Sequence, residues 1–302
     1  MPLDGFYVVA KPTTIIFTTK SGPVQIVGIP WPTRNTIALS TAQAFSSTSD
    51  LTEYITKGVQ SIISSMAAKL DQTVPAVLAG HLTVSTGIFS GSEKRAVYGT
   101  DPVFMPSQLA LKPFDYVALG HLHRHQDLNL QGYPPVVYSG SIERIDFGER
   151  KEEKGFCLVT LRAKGDTVYE FIKTPIRPFL QIETTLKPDQ DHTQTVLDAL
   201  SMYDIKDAVV KVLYKVPTGI QDKVDLAKIH KACAAALYVV GIFPVKQIEQ
   251  RTQRVALHAT MDLKTLLNNY FDTKPELKER KSRLIETALQ LADRARTLEE
   301  EV

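Results

Sequence analysis

Apolar positions along the chain follow two periods, and the switches between them outline its organisation. Short β-branched runs at Phe6 to Val9, Thr14 to Thr18 and Val24 to Ile29 read as strands, with Ser21-Gly22-Pro23 as a turn. Trp31-Pro32-Thr33-Arg34 ends the last of them. A helical period follows, in which Leu51, Ile55, Ile62, Ile63, Met66 and Leu70 share a face. Asp50 begins that helix, and Glu53 three residues on gives a capping-box spacing. Strands return at Ala76 to Ala79, Tyr116 to Leu119, Val136 to Tyr138, Phe156 to Leu161 and Val168 to Ile172. The turn signal Ala163-Lys164-Gly165-Asp166 joins the last two as a hairpin. This half predicts an α/β layer whose loops leave strand C-termini, where such folds place ligands.

Pro175 and Pro178 mark a boundary. Beyond it the pattern predicts a small α+β domain: strand Leu180 to Thr184, helix Thr193 to Tyr203, strand Ala208 to Tyr214, helix Lys223 to Leu237 and strand Pro244 to Glu249. From Met261 onward the period is helical, with Leu263, Leu266, Leu267 and Tyr270 on one face. A further helix starts at Pro275, with Leu277, Leu284, Ala288, Leu291, Ala295 and Leu298 at steps of three, four and seven. No internal repeat or low-complexity tract interrupts these segments, and the acidic end Glu299 to Glu301 reads as a solvated terminus.

Composition narrows the possibilities only a little. A chain of 302 residues, 43% hydrophobic and 23% charged, has ample material for about two packed domains. Its formal charge of +2 means that nucleic-acid binding would need a local basic patch, not a global field. Cys157 and Cys233 are too few and too far apart for a disulfide framework or a zinc knuckle, which fits a reducing compartment. No segment reaches the roughly 18 apolar residues of a membrane helix, and Met1 to Thr19 has no signal-peptide core. A cytoplasmic protein without membrane partners is expected.

The candidate chemistry lies at strand ends. Gly120-His121-Leu122-His123 closes the apolar run Tyr116 to Leu119, and His81 closes Val77-Leu78-Ala79-Gly80. An isolated strand histidine is usually structural. Two on one side of a chain that turns at Gly120 are better explained as ligands of a divalent transition metal. His125 reads as an exposed loop residue between Arg124 and Gln126 and stays outside the set. Other His-x-His hydrolases fit poorly. The metallo-β-lactamase pattern requires an Asp-His pair where His125 and Gln126 stand, and the amidohydrolase pattern places its histidines on the first strand of a barrel.

Several motifs occur in order: His81-Leu82-Thr83-Val84, Gly91-Ser92-Glu93-Lys94-Arg95, Asp115 through His123, Tyr138-Ser139-Gly140-Ser141-Ile142-Glu143-Arg144-Ile145-Asp146-Phe147-Gly148-Glu149, and Lys154-Gly155-Phe156. Together they resemble the later motifs of the SbcD nuclease subunits of SbcC–SbcD complexes, within the calcineurin-like metallophosphoesterases. The resemblance runs from about Leu3 to the C-terminus. It implies the C-terminal part of a metallophosphoesterase β-sandwich flanked by helices over residues 1–176. It further implies an α+β capping domain over 177–258 and a helical segment over 259–302 that docks on an SbcC-type ATPase.

The function so implied is DNA double-strand-break repair, with roles in recombination and replication. The complex would act as an ATP-dependent double-strand exonuclease and single-strand endonuclease by two-metal phosphodiester hydrolysis. By position, His81, His121 and His123 resemble manganese ligands, with two Mn2+ ions in the complete family site. Lys94, Arg95 and Arg144, with Arg150 and Lys151 nearby, are candidate DNA contacts. Glu143 and Asp146 are candidate partners that orient a ligand histidine. The expected partners are an SbcC-type ATPase, DNA and a second nuclease subunit within a heterotetramer.

The family begins with roughly a hundred further residues. They carry Asp-x-His, Gly-Asp-x-x-Asp and Gly-Asn-His-Asp/Glu motifs, none of which occurs in this sequence. The bridging Asp, an Asn ligand and the catalytic histidine belong to that stretch, so no catalytic residue is assigned here. Three neutral imidazoles without a carboxylate offset two dications poorly, so a weak or absent binuclear site is expected. Strands central to the sandwich would be missing too, leaving unpaired edges. The alternative reading is therefore a truncated, catalytically inactive module that binds SbcC and DNA. A generic phosphodiesterase acting on small substrates is disfavoured, because it would not need the cap and the C-terminal helices.

Overall fold

The computed structural model describes residues 5–37, 45, 47–91, 101–246, 263–272, 277 and 280–300. The protein is mixed α/β and divides into two compact units, Met1–Val245 and Lys246–Val302.

The first unit opens with β1 (Thr13–Thr19) and β2 (Gly22–Ile29), an antiparallel pair in register from Thr13 opposite Gly28 to Thr19 opposite Gly22. Gly22 sits at φ +125°, a conformation that suits a residue without Cβ. The strand expected at Phe6 to Val9 is reduced to a single bridge at Phe6. Tyr7 instead lays its ring edge-on against Phe17 of β1, with centroids 4.8 Å apart.

Helix α1 (Thr48–Ala68) follows, and it buries Ile55, Val59, Ile63 and Ala67. Its cap is Ser47, whose hydroxyl accepts from the Asp50 amide at 3.1 Å. The cap therefore sits three residues earlier than the Asp50–Glu53 spacing predicts, and it is a single serine cap, not a capping box. Gln25, almost wholly buried, then fixes the return to the sheet. Its side-chain amide donates to the carbonyls of Asp71 and Val74 and accepts from the Asp71 amide.

Strands β3 (Ala76–His81), β4 (Thr83–Val84), β5 (Val103–Phe104), β6 (Tyr116–Gly120), β7 (Gln126–Asp127) and β8 (Val136–Tyr138) come next, with the short helix α2 (Pro106–Leu109) between β5 and β6. The main sheet runs β1-β2-β3-β6-β8-β7, and its central strands β2, β3, β6 and β8 are parallel. Parallel strands covered on a face read as nearly continuous apolar runs, which is why they stand out in the sequence. Val27, Leu78, Val117 and Val136 form their core with α1.

A second layer is the hairpin β9 (Gly155–Ala163) and β10 (Asp166–Lys173). It is fastened by Asp115, which is 1% exposed. The Asp115 carboxylate accepts from the Ala76 amide at 2.7 Å, Tyr133 Oη at 2.9 Å, Lys164 Nζ at 2.9 Å and the Gly165 amide at 2.7 Å. Burial pushes this carboxyl up, but the four donors outweigh it and hold the pKa below the ordinary aspartate value.

The small domain comprises β11 (Phe179–Thr185), α3 (His192–Ser201), β12 (Val209–Val216), α4 (Leu226–Ala232) and β13 (Tyr238–Lys246), with sheet order β11-β12-β13. It has its own core around Ile182, Val196, Val210, Val212 and Ile229, separate from that of the main sheet. Helix α4 is shorter than the expected Lys223 to Leu237. Asp225 caps it by accepting from the amides of Ala227 and Lys228, which sets its start at Leu226. The chain leaves it after Ala232, and β-branched Val239 and Val240 open β13 several residues before the expected Pro244. Pro244 is tolerated because β13 is an edge strand.

In the second unit α5 (Leu263–Asp272) and α6 (Lys281–Glu300) contact each other. Ile285 is buried there, whereas Leu291 of the expected stripe is 59% exposed. Met261 and Pro275, the expected helix starts, lie outside the described residues. Among the described residues no helix is long and apolar enough to cross a membrane.

Asp115→Asn should lower the stability of the first unit by about 2–4 kcal/mol, since it removes one member of a buried ion pair and leaves buried donors unpaired. Because the folded carboxyl has the lower pKa, its contribution is complete above the unfolded value of about 3.9. It fades as the pH falls through the folded value. Urea unfolding at pH 7 and in acid should therefore show the wild-type advantage over the variant shrinking in acid.

Candidate metal centre

The parallel register of β3 and β6 places His81 directly opposite Gly120. A Cβ at residue 120 would stand 3.1 Å from His81 Nδ1, so glycine there makes room for the imidazole. The turn itself is not at Gly120 but one residue later. His121 takes φ +107°, a left-handed conformation that costs an ordinary L-residue about 1–2 kcal/mol. Leu122, 2% exposed, anchors the turn in the core and leaves His121 and His123 on its two flanks.

The rings of His81 and His121 stand edge to face, with centroids 5.1 Å apart at 70°. Trp31 closes the group, its ring 5.6 Å from His81 and 4.8 Å from His121. Burial, and then the charge of neighbouring histidines, lowers the pKa of both imidazoles. Both are therefore neutral at pH 7, the form that ligates metals. Among the described residues His121 Nε2 is buried with no hydrogen-bond partner, and a carboxylate oxygen, Asp101 Oδ2, stands 3.9 Å away. A buried imidazole nitrogen left without a partner, on a strained backbone, is a costly arrangement for a residue that only packs.

His123 is held differently. Its Nδ1 lies 2.7 Å from Glu149 Oε1, and Glu149 is wholly buried. Burial pushes the Glu149 carboxyl up, but Lys154, the Ile145 amide and His123 itself bring it below the ordinary range. An ionised carboxylate only accepts, so Nδ1 carries a proton and donates it to Glu149. Lys154 Nζ, also fully buried, lies 2.8 Å from Glu149 Oε2 and donates to the His123 carbonyl at 2.8 Å and Glu152 Oε2 at 3.1 Å. Glu152 Oε1 in turn accepts from Ser90 Oγ at 2.8 Å.

The carboxylate that orients a histidine is thus Glu149, which is a correction to the expectation for Glu143 and Asp146. Glu143 accepts from the amides of Arg144 and Arg177, and Asp146 caps the turn at Gly148. Arg144 is also used otherwise than the DNA expectation has it. Its guanidinium donates to the carbonyls of Arg177 and Glu152. Arg150 donates to the Phe147 carbonyl. Lys94 and Arg95 lie outside the described residues. His125 is half-buried, not an exposed loop residue: it stacks on Phe171 at 4.1 Å and its Nδ1 lies 3.0 Å from the Tyr138 carbonyl. Trp31, Asp101 and Glu149 escaped the sequence reading, although Glu149 stands within a quoted motif.

The structure thus brings His81 and His121 together, with His123 near both. Among the described residues, no group of three or more His, Cys, Asp or Glu side chains converges as a ready-made metal cage. No protein-family model matches the chain.

The strain at residue 121 can be tested directly. His121→Gly should be more stable than His121→Ala by about 1 kcal/mol, the reverse of the usual order, because only glycine accepts φ +107° without cost. Equal urea midpoints for the two variants would sink the backbone assignment.

Proposed function

We propose that this chain is the metal-holding part of an SbcD-type nuclease subunit, with a metallophosphoesterase fold. Its work is manganese-dependent cleavage of DNA phosphodiesters alongside an SbcC-type ATPase, as a homodimer of nuclease subunits within a heterotetramer. The observation that carries the reading is the meeting of His81 and His121 at the ends of adjacent parallel strands. The carboxylate-oriented His123 stands beside them.

The residues fit a divalent cation on three counts. Among the described residues the His121 Nε2 lone pair is buried and unsatisfied, His81 and His121 are neutral, and Glu149 fixes the ring of His123 through Nδ1. When bound, Mn2+ supplies Lewis acidity at the phosphoryl oxygens and lowers the pKa of water. The chain's own contribution is orientation. Glu149 fixes His123, Gly120 admits His81, and Trp31 packs against the two paired rings.

The test is a Mn2+ titration of the full chain, read by quenching of Trp31, the sole tryptophan. Saturable quenching should weaken at least tenfold in His81→Ala and in His123→Ala, and about tenfold or more in Glu149→Gln. With the ATPase and duplex DNA present, Mn2+-dependent cleavage should vanish in both histidine variants. Retained cleavage in both would overturn the ligand assignment.

A second reading is a catalytically inactive module that docks on the ATPase and on DNA. It is favoured by the lack of a converging metal cage among the described residues. Under that reading neither quenching nor cleavage is seen, yet the chain co-purifies with the ATPase and loses it when residues 262–302 are removed. Undiminished binding by the shortened chain would show that the docking segment lies elsewhere.

A further inference from the structure

Glu149 does not stand alone on its segment. It ends the 3-10 turn Phe147–Glu149, and two residues earlier the same turn presents Phe147 to the small domain. The Phe147 ring lies 5.1 Å from Phe179, the first residue of β11, at 44°. The ammonium of Lys211, on β12, stands 5.7 Å from the centre of the same ring. One face of a three-residue turn therefore touches His123, and the other touches the small-domain sheet.

The turn is too stiff to absorb a displacement at one end. The Asp146 carboxylate accepts from the Gly148 amide at 2.6 Å, and the Arg150 amide and guanidinium both donate to the Phe147 carbonyl. A Cβ on Gly148 would stand 2.2 Å from the Gly91 Cα, so neighbouring chain presses on its outer side. Glu149 is tied at both oxygens, to His123 on one and to Lys154 and the Ile145 amide on the other. The segment leading into the small domain is clamped to this same loop, through Glu143 to Arg177 and through Arg144 to the Arg177 carbonyl. Side chains with two packed ends and no slack between them move together.

We infer that Phe147 is a positioning residue, through which the seat of the small domain on the 3-10 turn sets the orientation of His123. This rests on the proposed assignment of His123 as a metal ligand only for its consequence, not for its geometry. Shifting β11 and β12 draws Phe147 with them, and Glu149 then leaves the line on which it accepts from Nδ1. His123 then loses the hydrogen bond that fixes the orientation of its ring.

The experiment uses the full chain with nitrogen-15-labelled histidine, in the absence of metal. Proton–nitrogen spectra report the Nδ1–H of His123, and His123→Gln assigns the signal. The wild type should show a downfield, slowly exchanging Nδ1–H, the mark of a hydrogen bond to a buried carboxylate. Phe147→Ala should move it upfield and speed its exchange. Phe179→Ala, on the other domain, should do the same, and Phe147→Leu should restore the wild-type signal. Thermal unfolding of each variant checks that it is folded, and Phe179→Ala carries the test if Phe147→Ala is not. An unchanged His123 signal in folded Phe179→Ala overturns the inference. Mn2+ affinity, read in parallel, should fall about tenfold as the hydrogen bond weakens. A weakened hydrogen bond without any loss of Mn2+ affinity would support the positioning role and refute the reading of His123 as a ligand.

Discussion

The ion pair between Glu149 and Lys154 governs much of this structure. Both side chains are fully buried at 2.8 Å, a placement that desolvation makes expensive unless every remaining lone pair and proton is used. Here they are used. The lysine also serves Glu152 and the His123 carbonyl, and the glutamate also serves His123 Nδ1 and the Ile145 amide. The pair thereby collects three chain segments that local propensity alone would leave apart: the loop after β6, the turn after β8, and the residues leading into β9. Losing either partner singly leaves the other buried with part of its compensation gone. That is a reason for the loop after β6 to hold one conformation, with its strained residue, instead of many.

How much of this could be seen in the sequence follows from the kind of force at each place. The central strands β2, β3, β6 and β8 are legible because burial of parallel strands writes long apolar runs. The hairpin at Gly165 is legible because positive φ in a tight turn selects glycine, and Gly165 has φ +82°. The length of α4 is not legible, since an alanine-rich run suits a helix and a turn alike. Only the Asp225 cap and the following β-branched pair set its ends.

The site was legible in its histidines and illegible in their supports. Strand-end positions identify His81, His121 and His123, but nothing in a one-dimensional pattern says which of Glu143, Asp146 and Glu149 turns inward. That choice is made by a buried lysine five residues past the last of them. Nor does sequence mark a histidine at φ +107°, because the conformation is imposed by the core anchor at Leu122 and not by intrinsic preference. The same holds for Trp31, which reads as the end of a strand and becomes the wall of the histidine pair.

Asp115 stands at the start of β6, and its donors come from the start of β3, from the approach to β8 and from the β9–β10 turn. His81, His121 and His123 sit at or just beyond the opposite ends of β3 and β6. The sheet is thus polar in a mechanical sense, riveted along one rim and tensioned along the other. A lineage inheriting such a sheet can rework the loops of the tensioned rim, and with them the chemistry, while the riveted rim keeps the strands in register. The architecture separates what must be kept from what is open to change.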